Sequence, residues 1–222
     1  MHTVMQRWWR NRREAIPDGG NLQAGAEGLL YQSGGLCFHR CYAGIWRLLL
    51  LADDVLSVHP VFQRDLRQYF QLRYDADQIV VTVGGSEAID IAVRAIIENG
   101  DEVIIPQPSY VCYEPITRLA GGVPVIIETK AENEFKVTPE ELKEKITDKT
   151  KLLILPYPNN PTGGIMTRED LEAIAEVLRE KNILVLSDEI YSELTYGRKH
   201  CSIAEIDGMW ERTIYVSGFS KA

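Results

Sequence analysis

From residue 70 onward the sequence predicts an α/β fold, a mostly parallel sheet with helices on both faces. Three observations carry this. Six short apolar runs recur between residues 78 and 216. Amphipathic helical stripes separate most of them, and strands joined by helical crossovers pair in parallel. The fifth run, Ile183-Leu184-Val185-Leu186, carries no charge, which is the pattern of a strand buried on both faces.

Taken in order, Gln78-Ile79-Val80-Val81-Thr82-Val83 is the first predicted strand, closed by Gly84-Gly85-Ser86. From Ser86 to Glu98 the apolar residues Ile89, Ala92, Val93, Ile96 and Ile97 fall on one helical face, and Asn99-Gly100 ends it. Glu102-Val103-Ile104-Ile105 is the second strand, stopped by Pro106 and Pro108. A helix from Glu114 to Ala120 ends at Gly121-Gly122. Val123 to Ile127 is the third strand, with Pro124 near its start or on an edge. Thr138-Pro139-Glu140-Glu141 starts a helix, with a capping Thr, Pro at the first helical position and Glu two further on. Leu152 to Leu155 is the fourth strand. Thr167 caps a helix that runs to about Lys181. The fifth strand is 183–186, and Thr213-Ile214-Tyr215-Val216 is the sixth.

The first seventy residues read differently. They hold eight Arg, no Lys and six acidic residues, whereas the remainder holds seven Arg, nine Lys and 26 acidic residues. The formal charge therefore changes from about +2 to about −10 at this boundary. The Arg-rich start (Arg7, Arg10, Arg12, Arg13) lacks the Ser of a transit peptide and is soon followed by Glu14 and Asp18. The patch Ile45 to Ala52 is too short to span a bilayer and contains Arg47. No period of 2 or 3.6 runs through Gly19 to Gly35. Residues 1–69 are accordingly expected to be an atypical segment outside the fold, for instance one translated out of frame. Residues 70–222 are expected to be a partial domain. A net charge of −8 argues against nucleic acid as a partner. Cys37, Cys41, Cys112 and Cys201 show no C-x-x-C spacing and read as reduced thiols in a cytoplasmic protein. No metal is expected, since the Cys37–Cys41 spacing is unusual and no second ligand cluster follows.

Ligands of open α/β sheets bind beyond the carboxyl ends of the strands. After the first predicted strand stands Gly84-Gly85-Ser86-Glu87, at a helix N-terminus that can cradle an anion. Tyr110 and Tyr113 follow the second. Pro158-Asn159-Asn160-Pro161-Thr162-Gly163-Gly164 follows the fourth. Ser187-Asp188-Glu189-Ile190-Tyr191 closes the fifth, and Ser217-Gly218-Phe219-Ser220-Lys221 follows the sixth. Each has a bland reading as a turn, a cap or a solvated charge. A dinucleotide site is the weaker alternative, because the glycine order is not G-x-G-x-x-G and Asp188, Tyr191, Asn160 and Lys221 would go unexplained.

Asn160-Pro161-Thr162-Gly163, Ser187 to Tyr191 and Ser217 to Lys221, in this order and spacing, resemble the large domain of class I/II aminotransferases. These are pyridoxal-phosphate enzymes of fold type I. The resemblance covers about residues 70–222 and implies pyridoxal 5'-phosphate as cofactor, with amino acid and 2-oxo acid as substrates. It implies that Lys221 holds the cofactor and shuttles the proton, and that Asp188 keeps the pyridine nitrogen protonated. By the same resemblance Asn160 and Tyr191 bond the ring's 3-oxygen, and Tyr110 stacks on its face. Gly85, Ser86 and the N–H of Glu87 form the phosphate cup, with Ser217 or Ser220 contributing.

Several family features are not found. No Arg follows Lys221 in this sequence, the small domain with its carboxylate-binding Arg is expected to lie outside it, and residues 1–69 do not match the family's N-terminal arm. The expectation is a truncated large domain from a homodimeric enzyme, with little activity as this chain. A β-eliminating lyase of the same fold, or a non-catalytic remnant that binds the cofactor, are the alternatives. Keto acid assays with and without an amino acceptor separate the first alternative from a transaminase.

Overall fold

The computed structural model describes residues 67–68, 72–75, 78–218 and 221. Expectations for residues 1–66, the Arg-rich start and the Cys37–Cys41 pair included, lie outside the described residues.

Among the described residues five strands form one sheet: β1 (Glu102–Gln107), β2 (Val123–Glu128), β3 (Thr150–Leu155), β4 (Leu184–Asp188) and β5 (Thr213–Val216). Their order is β2-β1-β3-β4-β5, and every pairing is parallel. The α/β expectation is met. The helices are α1 (Gly85–Ile96), α2 (Tyr113–Leu119), α3 (Pro139–Lys145) and α4 (Arg168–Leu178). Both α3 and α4 open with the capping boxes read from sequence: Thr138 and Thr167 accept from the backbone of Glu141 and Asp170, whose carboxylates return the bond.

Strand side chains alternate between faces, and this divides the core in two. Ile104, Leu153, Leu155 and Val185 pack with Leu142 of α3 and with Leu171, Ile174 and Leu178 of α4. Val103, Ile105, Leu152, Ile154 and Leu186 pack on the other face with Ile89 and Val93 of α1 and Tyr113 and Ile116 of α2. Helices therefore cover both faces, as near-continuous apolar strands require. No helix among the described residues is long and apolar enough to cross a membrane.

Two expectations are corrected. Residues 78–83 form no strand, and Val80 and Val83 stand 57% and 85% exposed. An apolar run becomes a strand only where a neighbouring edge takes its backbone groups, and no strand pairs with it among the described residues. Ile79 packs instead against Leu72 and Tyr74. The second correction is Pro106, which does not stop β1. Beyond Ile104 the strand keeps its register with β2 but not with β3, so Pro106 has a strand on one side only and its missing N–H is tolerated. Pro124 likewise sits on β2, the outer strand.

Candidate functional site

Because all five strands are parallel, their carboxyl ends open at one edge. Asp188 is the last residue of β4, paired in register with Val216 of β5, and is 7% exposed. Its alternation with Leu186 aims it at the α1–α2 face. There Tyr113 Oη donates to Asp188 Oδ2 at 2.7 Å, and the Ile190 N–H donates to Oδ1 at 3.3 Å. No Lys, Arg or His pairs with this carboxylate among the described residues. Burial raises its pKa above the usual carboxylate value, against the lowering effect of the two donors. Burial and the Asp188 charge likewise push the Tyr113 hydroxyl far up, so it remains a donor.

Tyr113 is the site residue whose role the sequence reading missed. It was visible only as an aromatic three residues beyond Tyr110. The first turn of α2 places it over the strand end, where its ring meets Tyr110 edge-on at 6.0 Å and 84°. Tyr113→Phe leaves Asp188 a single backbone donor in a buried setting. The expected cost is about 1.5–3 kcal/mol of stability at neutral pH, read by urea unfolding.

Other predicted residues gather at the same edge. Asn160 Nδ2 donates to Tyr191 Oη at 3.5 Å, and Ser86 Oγ lies 3.2 Å from Tyr110 Oη. Asn160 sits on a turn closed by Asn159 and Gly164, with Gly163 at φ 72°, where a side chain would be strained. Asn159 Nδ2 ties that turn to the Pro108 carbonyl at 3.2 Å, at the end of β1.

The N-terminus of α1 reaches this edge although no strand leads into it. A Cβ on Gly85 would lie 3.5 Å from Ile190 Cδ1 and 4.0 Å from Val216 Cγ1. Gly84, at φ 98°, offers no side-chain cap, so the first-turn N–H groups are open to an anion. The Glu87 carboxylate turns back onto the Val83 N–H.

The remaining expectations are less closely assembled. Ser217 hydrogen-bonds Tyr215. Lys221 is described as exposed, and Ser220 lies outside the described residues. A cavity of about 340 Å³ lies elsewhere, against Thr167, Arg168, Arg198 and His200, and no predicted site residue lines it.

A buried carboxylate at the carboxyl edge of a parallel sheet, beside an open helix N-terminus, an amide and several phenols, is the arrangement of a ligand site in an open α/β sheet. Residues 56–222 match the model of aminotransferase class I and II, and the chain belongs to that family. The match begins ahead of the boundary near residue 70.

The chain is 44% identical over 174 residues to an aspartate aminotransferase of Bacillus subtilis, covering 78% of this chain and 43% of that protein. It is 46% identical over 151 residues to aromatic-amino-acid aminotransferase 2 of Thermococcus litoralis, covering 66% and 39%. Among solved structures, an aromatic aminotransferase from Pyrococcus horikoshii aligns with a TM-score of 0.73 at 36% identity, covering 85% of this chain and 54% of that one. The chain spans about two fifths of the length of these curated relatives. Class I and II aminotransferases use pyridoxal phosphate.

Proposed function

We propose that this chain binds pyridoxal 5'-phosphate and serves transfer of an α-amino group from an amino acid to a 2-oxo acid, in a cytoplasmic homodimer. The observation that carries the reading is Asp188: a buried carboxylate, provided with neutral donors and no cation among the described residues. Such a group is costly unless something positive is brought to it. A protonated pyridine nitrogen has the required charge, and the site residues fit it. When bound, the cofactor supplies an electron sink for carbanion character at the substrate's α-carbon.

The chain's own groups divide the remaining work. Asp188 would hold a proton on the ring nitrogen, and Tyr113 would keep Asp188 aimed. Asn160 and Tyr191, already within reach of each other, would bond the 3-oxygen. Tyr110 would lie against the ring. Gly85, Ser86 and the Glu87 N–H would take the phosphate on the helix N-terminus, with Ser217 or Ser220 contributing. Lys221 would hold the cofactor and move the proton at the substrate's α-carbon.

Titration of the chain with pyridoxal phosphate, and with an analogue carrying carbon in place of the ring nitrogen, tests the reading. The analogue is expected to bind at least tenfold more weakly, about 1.4 kcal/mol. Equal affinity for both would remove the assignment of Asp188 and the reading with it.

A further inference from the structure

Directly after Asp188 comes a second buried carboxylate, Glu189, which nothing in the proposed chemistry uses. It is 1% exposed. Ser187 Oγ donates to its Oε1 at 2.7 Å and Ser202 Oγ to the same oxygen at 2.6 Å. Its Oε2 lies 2.5 Å from His200 Nε2, and the His200 side chain is itself 8% exposed. The Glu189 backbone is equally committed: its N–H donates to the Val216 carbonyl of β5 at 2.8 Å, and its carbonyl accepts from Ser192 N–H at 3.0 Å.

These bonds have a particular topology. Ser187 lies at the end of β4. His200 and Ser202 lie midway along the connection, residues 189–212, that leaves β4 and returns to β5. One side chain thus closes the segment 190–200 into a loop with its ends tied together. Tyr191 stands in the first turn of that loop, and Asp188 stands one residue before the tie. Glu189 shares the sheet face of Ser187 and Val185, opposite Asp188, so it does not reach the ring site itself.

We propose that Glu189 is a positioning residue: by joining Ser187, His200 and Ser202 it holds Asp188 and Tyr191 at the spacing a bound pyridoxal phosphate requires. This rests on the cofactor reading above. Without the tie, the loop would keep its short backbone turns and the Ser192 side-chain bond to Tyr215, and Tyr191 would lose part of what fixes its approach to Asn160. Positions held to within about half an ångström are what such a site demands of its supporting groups.

The test uses the full chain with Glu189→Ala, which removes all three bonds, and Ser187→Ala, which removes one and keeps the fold intact. His200→Gln retains an N–H donor toward Glu189 and serves as the rescue variant against His200→Ala. Two quantities are read, amide hydrogen exchange by segment and affinity for pyridoxal phosphate. Expected are faster exchange confined to residues 190–202, cofactor affinity down at least tenfold in Glu189→Ala and about threefold in Ser187→Ala, and restoration by Gln but not Ala at position 200.

A merely structural role would speed exchange in α4 and β3 along with the loop and leave the affinity of the folded fraction unchanged; that result overturns the proposal. Should Glu189→Ala not fold, Ser187→Ala and the position-200 pair decide alone, and wild-type affinity in all three overturns it. Wild-type chain that binds no pyridoxal phosphate overturns the cofactor reading itself, whereas binding that these variants leave unmoved overturns the positioning role alone.

Discussion

Asp188→Asn is expected to weaken pyridoxal phosphate binding by roughly 10²–10³-fold while making the cofactor-free protein more stable at neutral pH. Both effects come from one buried charge. Removing one partner of a buried charge pair costs about 3–5 kcal/mol, which sets the loss of affinity. In the cofactor-free chain that partner is not there, and the carboxylate is held by Tyr113 and one backbone N–H.

Burial raises the folded-state pKa of Asp188 above its unfolded value, so the folded chain binds more protons than the unfolded one. The sign follows from linkage: the contribution is present below the ordinary Asp value, about 4, and is lost as pH rises through the raised folded value. Asn, which cannot ionise, escapes this loss. The gap in urea midpoint between Asp188→Asn and wild type should therefore open as pH rises from about 4 to about 8, reaching about 1 kcal/mol, the usual size of a stabilising substitution. A gap that narrows with pH, or a variant that binds cofactor like wild type, would refute the account.

Much of the fold was legible because parallel strands advertise themselves. Ile104, Leu153 and Val185 face one core while Val103, Leu152 and Leu186 face the other, so the centres of these strands are apolar at consecutive positions. Thr138 and Thr167 marked two helix starts from side-chain chemistry alone. What failed was the run at 78–83. Its composition resembles that of β4, but composition does not supply a neighbouring edge. Pairing is non-local, and a single segment carries no record of its partner.

The candidate site was legible where chemistry follows directly on a strand. Asp188 stood out because a carboxylate ending an apolar run is expensive, and the family resemblance gave it a role. Tyr113, Ser202 and His200 were missed as supporting groups, because their partners lie 75, 13 and 11 residues away. A tyrosine in the first turn of a helix reads as core until the carboxylate opposite it is known. The same holds for Glu189, which in sequence reads as a cap beside Asp188 and in the structure is among the most buried polar groups.

Lys221→Ala is expected to abolish covalent attachment of pyridoxal phosphate and to lower the slow amino transfer expected of this chain by at least 10²–10⁴-fold, the range general acid–base groups supply. The family resemblance assigns this lysine, and the order of the strands supports the assignment. β5 is the immediate neighbour of β4, and Val216 pairs with Asp188, so the segment leaving β5 starts about one strand spacing, roughly 4.8 Å, from the Asp188 backbone. Lys130, which also follows a strand, leaves β2, three spacings away in the order β2-β1-β3-β4, or roughly 14 Å. Lys136 is tied to Glu134 at 2.8 Å and Asp170 at 3.1 Å. The contacts that raise its pKa, led by Glu134, also keep its amine protonated and unreactive.

Borohydride treatment of the chain with cofactor, followed by peptide mass mapping, should place the added mass on the peptide bearing Lys221. Lys221→Arg should fail as completely as Lys221→Ala, because a guanidinium keeps the charge and never offers a free amine. Mass addition at another lysine in wild type, or turnover within tenfold of wild type in Lys221→Ala, would move the reactive amine elsewhere. Asp188 would then have to be explained by a cation other than the pyridine ring.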